Sequence, residues 1–349
     1  AHCRGSGWPR SWTPEVPSAL TTVTELATGL GMLGDPTVDE AIDRRPAEMV
    51  SVAPETWTAL RQLRDGGALD PKFDSAFANG SAFLRAADAL RGRRPVVVEW
   101  KGSHRAPGDE VAPIDLRVDH VYLVSCKYDS KILLNPSPNH LVDDLLTGRH
   151  GRRSGDWYAA VAPAEHDALY RLVRDRVDPA GLPARADDLR TDDRRHLAVA
   201  LKPGWPDGGD DAYAALAAAV SGATAARWSA NLSSTGQREA MLWRLLRMGS
   251  APYFVLGGFG GSPLRLRIAT PWDWRQRFRL ASFAVEAQLR GQPQVGWQAE
   301  VKDLHTGETR QVAGHVEVRW SHGKFSGPPE AKVYLDTPHH DVPGYFPLA

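Results

Sequence analysis

The spacing of apolar residues changes character near residue 250. Upstream, apolar side chains recur mostly at helical intervals. Residues 22–33 (TVTELATGLGML) fit a short helix weakened by its glycines. Residues 54–65 (PETWTALRQLRD) fit a clearer helix: Pro54 suits the first turn, Trp57, Leu60 and Leu63 share a face, and Gly66-Gly67 stops it. Ser81 is the expected N-cap of a helix over AFLRAADALRGR that ends at Gly92, with Phe83, Ala86, Ala87 and Leu90 turned inward. Two β-branched, apolar runs follow, 96–100 and 118–124, and both predict strands. Between them, residues 104–113 carry Pro, Gly and acids and predict an exposed loop. Asn139 is the expected cap of a short helix ended by Gly148, and another helix starts near Pro163 with Leu169, Leu172 and Val173 inward. Residues 211–220 and 234–248 predict two more helices, the second with a Ser/Thr start and Gly249 at its stop.

From Tyr253 onward the segments YFVLGG, LRLRIAT, RLASFAVEAQL, VGWQAEVKD, RQVAGHVEVRW and AKVYL alternate or run β-branched, with turns between them. DLHTGE predicts a hairpin turn near Gly307, and Gly257–Gly261 a glycine-rich hairpin loop. No helix separates these strands, so an antiparallel module is expected. The fold class that follows is α+β. An irregular N-terminal arm and short helix span 1–49, a mixed α/β core 50–178, a linker with helices 179–249, and a mainly antiparallel β module 250–349.

Composition narrows the class without naming a chemistry. The 42 basic and 42 acidic residues cancel, which removes the global charge argument for nucleic acid but leaves room for local segregation. Cys3 and Cys126 are the two cysteines, so neither a disulfide framework nor a cysteine zinc site is available, and a reducing cytoplasm is the expected setting. No apolar run approaches membrane-spanning length, and no apolar signal core is visible. The phosphate-cradling, dinucleotide, zinc-protease and nucleophile-elbow motifs are absent.

Candidate chemistry gathers on the two predicted core strands. Glu99 and Lys101, two apart, share one face of the first; Asp119 opens the second, and Lys127 follows it. Charge beside a core is costly unless it is paired or binds a metal, so these four are the candidate catalytic residues. Arg149, Arg152 and Arg153 lie in a basic segment (GRHGRRSG) suited to phosphates. Cys126, beside Lys127, is either an activated thiol or an inert core one. Glu330-x-Lys332 repeats the Glu-x-Lys spacing near His322 and Lys324, and Lys324 and Lys332 are expected to contact substrate rather than break bonds.

Helix, apolar strand, Glu-x-Lys and a second strand with Asp together resemble the core of the PD-(D/E)XK nuclease superfamily, the restriction-endonuclease-like fold. The likeness covers about residues 75–150, and VVVEWK (96–101) is similar to that family's strand ending in (D/E)-x-K. In the family an Asp usually precedes that strand on its neighbour, whereas Asp119 follows it here. A second alignment uses Asp119 with Ser125-x-Lys127, Ser replacing the acid and Glu99 supplying the second carboxylate. The resemblance implies a metal-dependent endonuclease acting on DNA more readily than RNA, within a restriction or defence system, as a homodimer or a subunit of a defence complex. Glu99 and Asp119 would hold Mg²⁺ or Mn²⁺, and Lys101 and Lys127 would orient water or offset phosphate charge. A non-catalytic nucleic-acid-binding or assembly protein with a degenerate core is the alternative.

Overall fold

The computed structural model describes residues 18–102, 114–129, 132–146 and 155–349. In chain order its elements are α1 (Ala19–Gly31), α2 (Val38–Arg44), β1 (Met49–Val50), α3 (Pro54–Asp65), α4 (Asp70–Arg85), β2 (Val98–Trp100), β3 (Leu116–Val118), β4 (Tyr122–Tyr128) and β5 (Ile132–Leu134). There follow α5 (Trp157–Val161), α6 (Pro163–Val177), α7 (Thr191–Ala200), α8 (Gly209–Asn231), α9 (Thr235–Leu245), β6 (Tyr253–Phe259), β7 (Ser262–Ile268) and α10 (Pro271–Arg277). The chain closes with β8 (Phe278–Leu289), β9 (Pro293–Asp303), β10 (Thr309–Arg319), β11 (Glu330–Leu335) and β12 (Tyr345–Pro347). The fold is α+β. No helix of the described residues is long and apolar enough to cross a membrane.

Two compact units share the chain, and they cut across the boundaries expected from composition. The first takes the described residues of Ala1–Ser130, Ala251–Arg267 and Pro347–Ala349; the second takes those of Lys131–Ser250 and Ile268–Phe346. The first unit is built on a mixed sheet in the order β1-β2-β3-β4-β6-β7, with β12 last. Strands β2, β3 and β4 form an antiparallel meander, and β6 lies parallel to β4. The β6 strand was expected to open the C-terminal β module. Instead its run of buried residues, Tyr253–Gly257, places it inside this sheet, as an apolar run covered on both faces does. A parallel neighbour needs a long crossover, and here that crossover is the first segment of the second unit, Lys131–Ser250.

Helices α1 to α4 cover one face of the sheet, burying Val98, Leu116, Val118, Val124, Phe254 and Leu256 against Val23, Leu26, Phe73 and Phe83. Helix α1 is buried from Val23 to Gly31, so its glycines serve packing. A Cβ at Gly31 would fall 2.1 Å from the Phe77 carbonyl oxygen, and one at Gly80 would fall 2.0 Å from that of Thr28. Helix α4 therefore runs straight through Asn79-Gly80-Ser81, where a break and a cap at Ser81 were expected. Tertiary contact with α1 outweighs the local turn signal.

The 118–124 run is not one strand. It is a hairpin whose turn holds Asp119 and His120 at φ 49 and 59, with the ladder resuming at Tyr122. Asparagine 139 caps nothing: the Ser137 hydroxyl accepts from the His140 N–H at 3.3 Å, and a single π-helical turn spans His140–Asp144. The expected 179–249 linker contains, besides its two expected helices, α7, whose first turn is tied by the Arg190 N–H donating to Asp193 at 2.9 Å.

The second unit pairs a five-stranded sheet, β5-β11-β10-β9-β8, with the helices α5 to α10. Its pairings are antiparallel, as expected for the C-terminal strands. Helix α8, longer than the expected 211–220, is tied to β9 by the Gln294 N–H donating to Ser221 Oγ at 2.9 Å. The β9–β10 hairpin turns at Gly307, φ 76, as its sequence predicts.

Candidate functional site

The chemistry-bearing residues lie on the sheet face of the first unit that α1 to α4 do not cover. Strand alternation puts Val98 into the core and turns Glu99 and Lys101 to the other face. On β3, Leu116 and Val118 are buried, so Asp115 and Arg117 point the same way as Glu99. Arg117 stands directly opposite Glu99. Its Nε donates to Glu99 Oε2 at 2.7 Å, and its Nη2 lies 2.6 Å from the same oxygen. Lys101 Nζ donates to Glu99 Oε1 at 3.2 Å. Burial alone would raise the Glu99 pKa; its bonds to Lys101 and Arg117 overcome that and bring it below the usual carboxylate value. The two cations differ in access: the Lys101 side chain is 8% exposed and that of Arg117 35%.

Asp115 is the residue that sequence reasoning missed. It lies on the diagonal from Glu99, next to Lys101, whose N–H donates to the Asp115 carbonyl at 2.9 Å. Its Oδ2 accepts from Ser125 Oγ at 3.2 Å and from the Cys126 N–H at 2.6 Å. Asp115 thus sits immediately before β3 and is hydrogen-bonded to Ser125 and Cys126 of β4. Its signal in the sequence is an acid next to the apolar pair Ile114 and Leu116, and the expectation of one strand over 118–124 points to Asp119 instead.

Asp119 belongs to another place. It follows β3 while Asp115 precedes it, four residues and about 13 Å of extended chain away. Its Oδ1 accepts from the N–H groups of Val96 and Val97 at 2.7 and 3.1 Å, and its Oδ2 from Arg93 at 2.6 Å. Burial acts to raise its pKa, but Arg93 and the two amides outweigh it, so the carboxylate stays ionised to lower pH than usual. The polar partners of Glu99 and Asp119 are disjoint. Asp119 is a turn residue that fastens the hairpin to the segment entering β2.

Lys127 lies two residues beyond Ser125 on β4 and shares its face. Its carbonyl oxygen is where a Cβ on Gly257 would sit, at 1.7 Å, so glycine there is what allows β6 to close on β4. Cys126 points to the helical face. Burial, with the Asp115 and Glu25 carboxylates, pushes its thiol well up, the opposite of the lowered pKa of an activated thiol. That helical face holds a separate polar network: Asn79 Nδ2 donates to the Gly257 carbonyl at 2.7 Å and to Tyr128 Oη at 3.1 Å, and Arg265 Nε donates to Asn79 Oδ1 at 2.8 Å. It joins α4, β4, β6 and β7, and so ties β4, the strand of Ser125 and Lys127, to its neighbours.

The remaining candidates divide. Arg149, Arg152 and Arg153 lie outside the described residues. In the second unit, Lys324 Nζ sits 4.2 Å from the Trp205 ring centroid and donates to the Leu201 carbonyl at 3.2 Å. Lys332 Nζ lies 3.9 Å from Glu330, which also accepts from Asn135 Nδ2 at 3.1 Å and from Ser321 Oγ. Both lysines have protein partners.

Among the described residues, no three His, Cys, Asp or Glu side chains come together as a metal cage. Glu99, on β2, and Asp115, immediately before β3, each offer hard oxygen donors. That set suits Mg²⁺ or Mn²⁺, which commonly take one or two carboxylates and complete their shell with phosphate oxygens and water. Comparison of the chain with protein-family models, with curated proteins and with solved structures finds no match.

Proposed function

We propose that the chain is a divalent-metal-dependent nuclease that hydrolyses phosphodiester bonds of DNA, within a restriction or defence system. The observation that carries this reading is the Glu-x-Lys at the end of β2, with the Lys101 N–H bonded to the carbonyl of Asp115 just before β3, on a sheet face that also holds Arg117 and Lys127. Glu99 and Asp115 would hold the ion. When bound, such an ion lowers the pKa of its water and draws off charge developing on the phosphate. Lys101, largely buried and hydrogen-bonded to Glu99, offers a positive charge at a fixed point beside the scissile group. Ser125 and the Cys126 amide orient the Asp115 carboxylate. Lys127 and Arg117 supply further phosphate contacts.

The test is incubation with duplex DNA, single-stranded DNA and RNA, with and without Mg²⁺ or Mn²⁺. Cleavage of DNA that requires the metal is expected, with Glu99→Gln and Asp115→Asn each reducing it by on the order of a hundredfold or more at unchanged circular dichroism. Full activity in either variant, or cleavage indifferent to chelation, would remove the proposed site. A second reading has its own observation: Ser125 stands where the resemblance places an acid, and Glu99 carries two cations. It predicts salt-dependent duplex binding with no turnover under any metal.

A further inference from the structure

Glu99 has one partner that is fixed and one that can leave. Lys101 is 8% exposed, while Arg117 reaches the same carboxylate from the rim at 35% exposure. Both close contacts of the Arg117 guanidinium fall on a single oxygen, Glu99 Oε2. A cation that took Glu99 through that oxygen would have to displace the guanidinium. A guanidinium pairs with phosphate as readily as with carboxylate, so a backbone phosphate can compete with Glu99 for Arg117.

Resting on the nuclease reading, we propose that Arg117 is the substrate-sensing residue of the site. Without nucleic acid it occupies Glu99 Oε2 and keeps the metal position closed. When a backbone phosphate arrives, Arg117 transfers to it and Glu99 becomes a metal ligand. The phosphate and the ion therefore bind cooperatively, and the free protein has low affinity for the ion alone. No covalent bond is made or broken in this step; one ion pair replaces another. Arg117 is a positioning residue toward the metal and a binding residue toward the substrate.

The experiment is Mn²⁺ binding followed by electron paramagnetic resonance on the full chain, alone and with a duplex oligonucleotide carrying non-cleavable phosphorothioate linkages. Wild type alone should bind Mn²⁺ weakly, and the duplex should tighten it. Arg117→Gln alone should bind Mn²⁺ about tenfold more tightly than wild type, a decade being about 1.4 kcal/mol, and the gain should vanish in Arg117→Gln combined with Glu99→Gln. Arg117→Lys, which keeps the charge without the fork, should fall between. Duplex affinity of Arg117→Gln should drop severalfold, with a shallower salt dependence. If the duplex tightens Mn²⁺ on wild type but Arg117→Gln binds it no better, the latch is wrong and the nuclease reading stands. If neither the duplex nor Arg117→Gln yields Mn²⁺ binding while circular dichroism is unchanged, the metal-dependent reading falls and the latch with it.

Discussion

Replacing Asp119 by Asn separates structure from chemistry at the two aspartates of the β3 segment. The substitution keeps an acceptor for the Val96 and Val97 amides and a residue that tolerates the positive φ of 49, but it removes the charge. Bonds to an ionised acceptor contribute about 1.5–3 kcal/mol each. Neutral ones contribute about half as much, and water at the exposed Val96 replaces part of the rest, so the expected loss is about 1–2 kcal/mol. The sign of the pH dependence follows from the depressed pKa. A carboxylate whose folded pKa lies below its unfolded one adds stability above the unfolded value and loses it as pH falls through the folded one. Urea denaturation should therefore show wild type above Asp119→Asn at neutral pH, with the gap closing below the normal aspartate range. Nuclease activity should be unchanged at temperatures where both are folded. Loss of cleavage in a folded Asp119→Asn would return this residue to the active site and refute the assignment to Asp115. Equal stability at neutral pH would refute the account of the turn.

The close approach of α1 and α4 predicts that Gly80→Ala, whose Cβ would meet the Thr28 carbonyl at 2.0 Å, is destabilising by about 1–3 kcal/mol, since overpacking exceeds the gain in helix propensity of up to about 1. Gly29→Ala, which meets the flexible end of Met49 at 3.0 Å, should be close to neutral in the same thermal melts. Glu330→Gln should lower stability by about 1 kcal/mol through weaker bonds to Asn135 and Ser321, while metal-dependent turnover at saturating substrate persists; complete loss of turnover in the folded variant would place the reaction in the second unit.

Much of the fold was legible wherever local chemistry and tertiary demand agree. Helix α3 spans the residues that Pro54 and Gly66 mark, and α9 starts at Ser234 with its capping box to Gln237. It was illegible where they compete. Asn79-Gly80-Ser81 reads as a break because small polar residues favour turns, yet the same smallness is what lets α4 touch α1. The β6 strand reads as the first of a β series because it is followed by others, and only its pairing with β4, formed across more than a hundred residues of chain, shows otherwise. Sequence proximity carries no record of a parallel crossover of that length.

At the site, the residue types were legible and their register was not. Glu99 and Lys101 follow from a strict alternation that any strand imposes. Choosing between Asp115 and Asp119 required knowing where β3 ends, because one residue past a strand a carboxylate leaves the face and turns to the backbone. Asp119 does so, capping two amides, while Asp115 stays on the face with Glu99. The charged cluster is tolerated beside a core because each carboxylate has its own donors: Lys101 and Arg117 on Glu99, Ser125 and the Cys126 amide on Asp115, and Arg93 with the Val96 and Val97 amides on Asp119. Of the two cations on Glu99, Arg117 is the more exposed, so on the proposed reading an incoming polyanion meets it before it meets Lys101.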